Sequence, residues 1–287
     1  MTTEPYYKLP ANTATDIDTY AADITRFQNG QIDAADLKGR RVPRGVYEQR
    51  RDGTFMVRTR IAGGALSVAQ AAALAAASRE FGNGMLHVTT RQDIQFHDVA
   101  IANTPTVMRR LLDVGLSSRG GGGNTVRNIT TCQYAGTCPA ELFDVSPCAM
   151  AVTEYMIAQP NSYNLPRKYK IAFSSCPADC SLAQVVDLGF IAAIRNDQPG
   201  FRVMVGGGMG AWSRLADTLL EWAPTTDIIR IAETVKRLFN EHGDRHNRHR
   251  ARLRFVVEKM GMTEFTRLFA ARYADVVADG VPEWHGT

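Results

Sequence analysis

Residues 46–61 read VYEQRRDGTFMVRTRI. Asp52-Gly53 is a strong hairpin signal between two runs in which apolar and polar residues alternate, so the stretch predicts a pair of antiparallel strands. The next segments fix the class. Ser67, with Gln70 three residues on, forms a capping box for a helix whose body is VAQAAALAAASREF, and Gly82 sits where a left-handed C-terminal residue is wanted. MLHVTT at 85–90 and IQFHDVA at 94–100 are two strand-like runs separated by Arg91-Gln92-Asp93. A second helix takes Thr104 as cap and Pro105 at its first position, sets Val107, Met108, Leu111 and Leu112 on one face, and stops at Gly115. Strands, helix, strand pair, helix is an α+β order of the ferredoxin-like kind.

Outward from this half-domain the character changes on both sides. Residues 1–40 are polar and weakly periodic, and read as an extended arm with a short helix near Thr15–Phe27. The glycine run Gly120–Gly123 marks a boundary. Beyond it, KIAFSS at 170–175, DLGFIAAIR at 187–195 and FRVMV at 201–205 are strand candidates, followed by helical stretches at about 226–240 and 250–270, a second, mixed α/β unit. The expected division is therefore an arm at 1–40, the half-domain at 41–120 and the mixed unit at 121–287.

Composition excludes several classes. With 287 residues, 45% hydrophobic and 22% charged, the chain is neither disordered, collagen-like nor coiled coil. A net charge of +4 is too small to imply nucleic acid, although it suits an anionic ligand if the excess is concentrated. The longest apolar stretch, AAALAAA at 71–77, is far short of a membrane span, and the N-terminus shows no secretory signal, so a cytoplasmic protein is expected.

All five cysteines fall between Cys132 and Cys180. An odd, clustered count argues for metal ligation over a disulfide framework. Cys132-x5-Cys138 and Cys176-x3-Cys180 let two loops each supply two thiolates; zinc or an iron–sulfur cluster fits four soft sulfurs, and the wide x5 spacing suits a cubane better than one ion. Buried, unligated thiols are the plain alternative, and Cys148 is assigned to it.

Basic residues recur in three restricted contexts: TTRQDIQFH at 89–97, NTVRN at 124–128 and NLPRKYK at 164–170. Lys168 and Lys170 sit two apart at a strand start and project to one face, Arg167 and Tyr169 to the other. Together these segments predict a pocket for a small oxyanion and a polycarboxylate cofactor. Gly206-Gly207-Gly208-Met209-Gly210 after an apolar strand is a candidate amide nest for an anionic group, but it is only a relaxed form of a dinucleotide fingerprint. The basic run from Arg245 to Arg254, which includes Arg250, lacks interleaved stacking aromatics. A four-cysteine zinc or iron–sulfur protein that binds nucleic acid through this run is the rival from another class.

TTRQDIQFH, NTVRNITTC, NLPRKYKIAFSSCPADC, DLGF and VGGGMG, in this order over about residues 45–270, resemble the sirohaem- and [4Fe-4S]-containing nitrite and sulfite reductases. The resemblance implies that Arg91, Arg127, Lys168 and Lys170 hold the substrate anion. It implies that Cys132, Cys138, Cys176 and Cys180 bind the cluster, with Cys180 bridging a cluster iron to the sirohaem iron. Gln92, Gln95, His97, Arg119, Asn128, Arg167, Gly206, Gly207, Gly208, Gly210 and Arg250 are the candidate cofactor contacts. The activity implied is six-electron reduction of sulfite to sulfide, or of nitrite to ammonia. No nucleic acid or membrane partner is expected. Electrons are expected from a separate protein such as ferredoxin, since no NAD(P)H or flavin segment is visible. Family chains of the assimilatory type contain two related halves, whereas this chain is one half long and carries both motif sets, so a second copy or a homologous subunit is expected to pair with it.

Overall fold

The computed structural model describes residues 6–286 and divides into two compact units, Met1–Asn128 and Ile129–Thr287. In the first unit, helices α1 (Thr13–Gln28) and α2 (Ala34–Arg41) precede strands β1 (Val46–Glu48) and β2 (Thr54–Thr59). Then come α3 (Val68–Phe81), β3 (Leu86–Val88), β4 (Ile94–Ala100) and α4 (Thr104–Leu112). The sheet is antiparallel with order β1-β2-β4-β3, so the two hairpins lie side by side. Alternation along β2 buries Phe55, Val57 and Thr59 and leaves Met56 and Arg58 on the other face. Val46, Val57, Leu74, Phe96 and Leu111 meet in one core, each contributing about 1.5–3 kcal/mol by leaving water.

The N-terminal segment is not an extended arm. Ile17, Tyr20 and Ile24 recur at helical spacing and are buried, and the Tyr20 hydroxyl lies 3.1 Å from Thr104 Oγ1. Its polarity hid a narrow apolar stripe; residues 1–5 lie outside the described residues. Gly82 is not left-handed either, at φ −124°. A Cβ there would stand 2.6 Å from the His97 carbonyl oxygen, so the glycine serves a close approach to β4. The glycine run, expected as the boundary, lies inside the first unit. A Cβ on Gly122 would lie 2.2 Å from the Val42 carbonyl oxygen, which packs this strap into the first unit and carries the division on to Asn128.

The second unit begins with α5 (Ser146–Ala158) and a sheet of β5 (Ile171–Ser174), β6 (Leu188–Arg195), β7 (Gln198–Val205) and β8 (Asp217–Pro224), in that spatial order. β5 and β6 are parallel and the remaining pairs antiparallel. Phe173 and Phe190 stack at 4.5 Å with Phe201 edge-on to both, an aromatic centre for the sheet. Helices α6 (Ile228–His242), α7 (Leu253–Met260) and α8 (Met262–Ala278) follow, so the stretch expected over 250–270 is two helices divided at Gly261. α6 packs against α5 and α8. Among the described residues no helix is long and apolar enough to cross a membrane.

Candidate functional site

In the first unit, β2 and the turn before β4 gather four guanidiniums around one carboxylate. Arg58 and Arg60 stand two apart in and after β2. Arg91 and Asp93 belong to a turn in which the Thr89 hydroxyl accepts from the amides of Arg91 (3.3 Å) and Asp93 (3.0 Å). Arg127 comes from the strap. Arg60 is 1% exposed and donates through Nη2 to the Val126 carbonyl at 2.8 Å, yet its Nε and Nη1 are buried with no partner. Arg127 donates to the Gly121 carbonyl at 2.5 Å and its Nε is also orphaned. Burial, chiefly, and the charges of Arg58 and Arg60 push the Arg127 guanidinium below its ordinary range, against Tyr47 and Asp93; an arginine nevertheless keeps its charge. Asp93 is the acid in this set, and burial raises its carboxyl while Arg60, Arg127, Arg58 and Arg91 pull it down. Buried donors without partners are costly, and a concentrated positive site of this kind is chemically complete only with an anion.

The other expected residues of this unit fall around the cluster. Asn128 braces Arg91: its Nδ2 donates to the Ile61 and Arg91 carbonyls at 2.7 and 2.9 Å, and Arg91 Nη2 donates back to its carbonyl. Gln92 takes the left-handed conformation of the turn, φ 59°. Gln95 stands opposite Arg58 in the β2/β4 register and, with its amide oxygen toward the guanidinium, accepts from Arg58 Nε and Nη2 at 3.0 and 2.6 Å. His97 Nδ1 lies 3.0 Å from the Gln49 amide nitrogen, whose oxygen is held by the Asp98 N–H. That makes Nδ1 an acceptor, and places His97 in a side-chain brace of the sheet. Arg119 turns its guanidinium to Asn12, and its carbonyl accepts from Arg60 at 3.4 Å. Arg58, Arg60 and Asp93 were missed by sequence reasoning; the available signal was a pair of arginines two apart in an otherwise apolar strand.

In the second unit the two cysteine loops leave neighbouring strands. Thr130 forms a parallel bridge with Ala172, so Cys132 lies two residues beyond one edge and Cys176 two beyond the end of β5. The Leu142 amide donates to the Ser175 carbonyl at 2.9 Å and ties the loops together. Cys132 and Cys176 are buried, Cys138 half-buried and Cys180 exposed. Desolvation and the neighbouring charges of Cys132, Cys176 and Cys138 raise the Cys180 thiol, which also hydrogen-bonds with Cys132, so the four sulfurs form one electrostatic group. Among the described residues no three His, Cys, Asp or Glu side chains converge on a single-ion position. An all-sulfur set grouped around Cys180 but wider than one ion fits a [4Fe-4S] cluster better than zinc. Cys148 sits apart on α5 with its thiol pushed up to about 12 by burial.

Lys168 and Lys170 are half-buried and flank Tyr169, which is fully buried and donates to the Ala232 carbonyl of α6 at 3.2 Å. Both precede β5, and Arg167 is half-buried beside them. The Lys170 amide donates to Asp187 Oδ2 at 2.8 Å, and Asp187 is forked by Arg252 at 2.8–3.2 Å. The basic run thus divides: Arg250 is exposed over the Phe255 ring, whereas Arg252 is a structural lock. The amide-nest reading of the glycine loop is corrected in part. The Gly206 and Gly208 amides already donate to the carbonyls of Asp187 and Arg214, both within 3.0 Å. Gly207 and Gly210 complete the loop, and Arg214 and Arg254 donate to the Gly206 and Met209 carbonyls.

A ferredoxin-like α+β unit followed by a mixed unit with four thiols grouped around Cys180 on two adjoining loops defines an iron–sulfur protein. Residues 122–276 match the nitrite and sulphite reductase 4Fe-4S domain, and residues 47–114 the nitrite/sulfite reductase ferredoxin-like half domain. The chain belongs to the nitrite and sulphite reductase family. It is 34% identical over 239 residues to a ferredoxin–nitrite reductase of Synechococcus elongatus, covering 80% of this chain and 46% of that protein. It is 31% identical over 260 residues to a sulfite reductase [ferredoxin] of Mycobacterium tuberculosis, covering 84% and 46%. The chain therefore spans about half the length of these curated relatives. The solved structure of Mycobacterium tuberculosis NirA superposes with a TM-score of 0.81 at 28% identity over 93% of this chain and 54% of that one. Dissimilatory sulfite reductase I shares the fold at a TM-score of 0.69 and 12% identity, over 92% of this chain and 82% of that one.

Proposed function

We propose that this chain is a sirohaem- and [4Fe-4S]-dependent reductase that takes sulfite to sulfide, with nitrite to ammonia as the close second reading. The observation that carries it is that Cys132, Cys138 and Cys176 all act on the Cys180 thiol inside the matched 4Fe-4S domain. Cys132, Cys138, Cys176 and Cys180 would hold the cluster, and Cys180, the exposed sulfur, would face the sirohaem iron. Together the two groups supply electrons singly to a bound substrate. The chain's own residues supply the rest.

Arg60, Arg91 and Arg127 bind negative charge and, being permanently protonated, cannot deliver protons. The orphaned donors of Arg60 and Arg127 are suited to a substrate oxyanion, and the braced Arg91 to either substrate or a sirohaem carboxylate. Lys168 and Lys170 can release protons, so they are the proposed acids for oxygen leaving as water. A ferredoxin-type protein is the proposed donor, in line with the names of the relatives. A second copy of the chain is the proposed partner, supported by an apolar loop in which Met209, Trp212 and Leu215 are 65–69% exposed.

The decisive experiment uses protein purified without oxygen. Iron, labile sulfide and a tetrapyrrole absorption band should be present, and reduced viologen should drive sulfide from sulfite or ammonia from nitrite. The larger kcat/KM of the two substrates names the activity. Colourless protein containing zinc instead would remove the proposal.

A further inference from the structure

Asp93 gives the arginine cluster an internal counter-charge. It is 4% exposed, its Oδ1 is buried with no hydrogen-bond partner, and Arg58 Nε stands 4.0 Å from Oδ2, an ion-pair distance rather than a hydrogen bond. The charged groups that face it are Arg58 and Arg60 of the β2 segment, Arg91 of its own turn and Arg127 of the strap. Tyr47 of β1 lies behind Arg58 and Arg127. The field of four cations opposes, without cancelling, the burial that raises this carboxyl. Any anion entering the set brings a second negative charge and draws on the same guanidiniums, which weakens that field at Asp93.

We propose that Asp93 is a proton-exchanging positioning residue: ionised, it balances the four arginines while no anion is bound, and it takes one proton from solvent when a small oxyanion enters. The proposal rests on the reading above that this cluster holds the substrate anion. The buried carboxyl already lies above its ordinary range, so the added charge moves it further the same way. The complex then carries up to one more proton than the free protein, and anion affinity falls as pH rises, by up to tenfold per pH unit. Departure of the anion returns the proton to solvent.

The test is nitrite binding to the complete, cofactor-loaded protein between about pH 6 and 9, a range in which nitrite itself stays deprotonated. Asp93→Asn keeps the side-chain shape and removes the titrating group. Titrating lysines contribute equally to both proteins, so the difference between their slopes of log Kd against pH reports Asp93. We expect the wild-type Kd to climb more steeply, by up to one decade per pH unit, and the variant to bind nitrite more tightly at the alkaline end. Equal slopes overturn the proposal. Infrared difference spectra of wild-type protein labelled at aspartate, with and without nitrite, give a measurement independent of the variant. A protonated-carboxyl band that grows with nitrite supports the proposal. Nitrite binding without such a band overturns it and leaves the family activity standing. No nitrite binding at any pH removes the underlying reading and this one together.

Discussion

Cys148 and Cys180 show one residue type in opposite environments, and the contrast can be measured. With its thiol at about 12, Cys148 is a thiolate in only about one molecule in ten thousand at pH 8, and it is also buried. Iodoacetamide applied at pH 8 to protein stripped of iron should label Cys180 and leave Cys148 unmodified until denaturant is added, as peptide mass spectrometry would show. Early labelling of Cys148 would mean that α5 opens. Asp187 anchors the backbone at Lys170, because its fully buried carboxylate accepts from the Lys170 amide and from the Arg252 fork. Asp187→Ala leaves Arg252 uncompensated and should lower stability in urea by about 3–5 kcal/mol. Asp187→Asn keeps an acceptor and should fold with less loss. Its turnover should fall more than its substrate KM changes, because the Lys170 backbone shifts while Arg60, Arg91 and Arg127 of the first unit are untouched; an unchanged kcat would make Asp187 structural alone.

At the scale of elements, α3 and its neighbours separate what local sequence determines from what the sheet determines. Ser67 and Gln70 satisfy each other's amides at 3.1 and 3.0 Å, and Ser67→Ala should cost about 1 kcal/mol in urea unfolding. At the other end, Gly82→Ala drives a Cβ toward the His97 carbonyl. It should cost about 1–3 kcal/mol, more than the cap substitution; a smaller loss would show that β4 can yield. The same division explains what could be read in advance. Hairpins, the Ser67 cap and the four-cysteine spacing are local patterns and were legible, as were Arg91, Arg127, Lys168 and Lys170 as basic residues in restricted contexts; Thr104, expected to cap α4, is instead its first residue and its hydroxyl donates to the Ile101 carbonyl. The duty of Gly82, the packing of Gly122 and the convergence of Arg58 and Arg60 on Asp93 depend on strands paired across long stretches of chain, so no window of sequence contains them. β8 and α5 escaped notice for a related reason: DTLLEWAP alternates weakly, and SPCAMAVTEYMIA is apolar on nearly every face.

At the scale of the whole molecule, the loop after β7 presents Met209, Trp212 and Leu215 to water, while Gly208 and Arg214 pair at its base and hold it in shape. Large apolar side chains on a braced loop are a poor choice for a free surface, and Trp and Met are enriched where surfaces meet. The braced conformation also lowers the entropy lost on docking. If a second copy covers this loop, light scattering of the cofactor-loaded protein at micromolar concentration should give twice the 31.6 kDa chain mass. Trp212→Glu should then bring it to the single-chain mass, since burying an unpaired carboxylate in an apolar contact is strongly unfavourable. The variant reports on a second possibility at the same time. Should it keep the double mass but lose its tetrapyrrole absorption, the loop faces the cofactor and the copies meet elsewhere. A wild-type protein that stays at 31.6 kDa across the concentration range, with full colour and turnover, would show that one chain suffices.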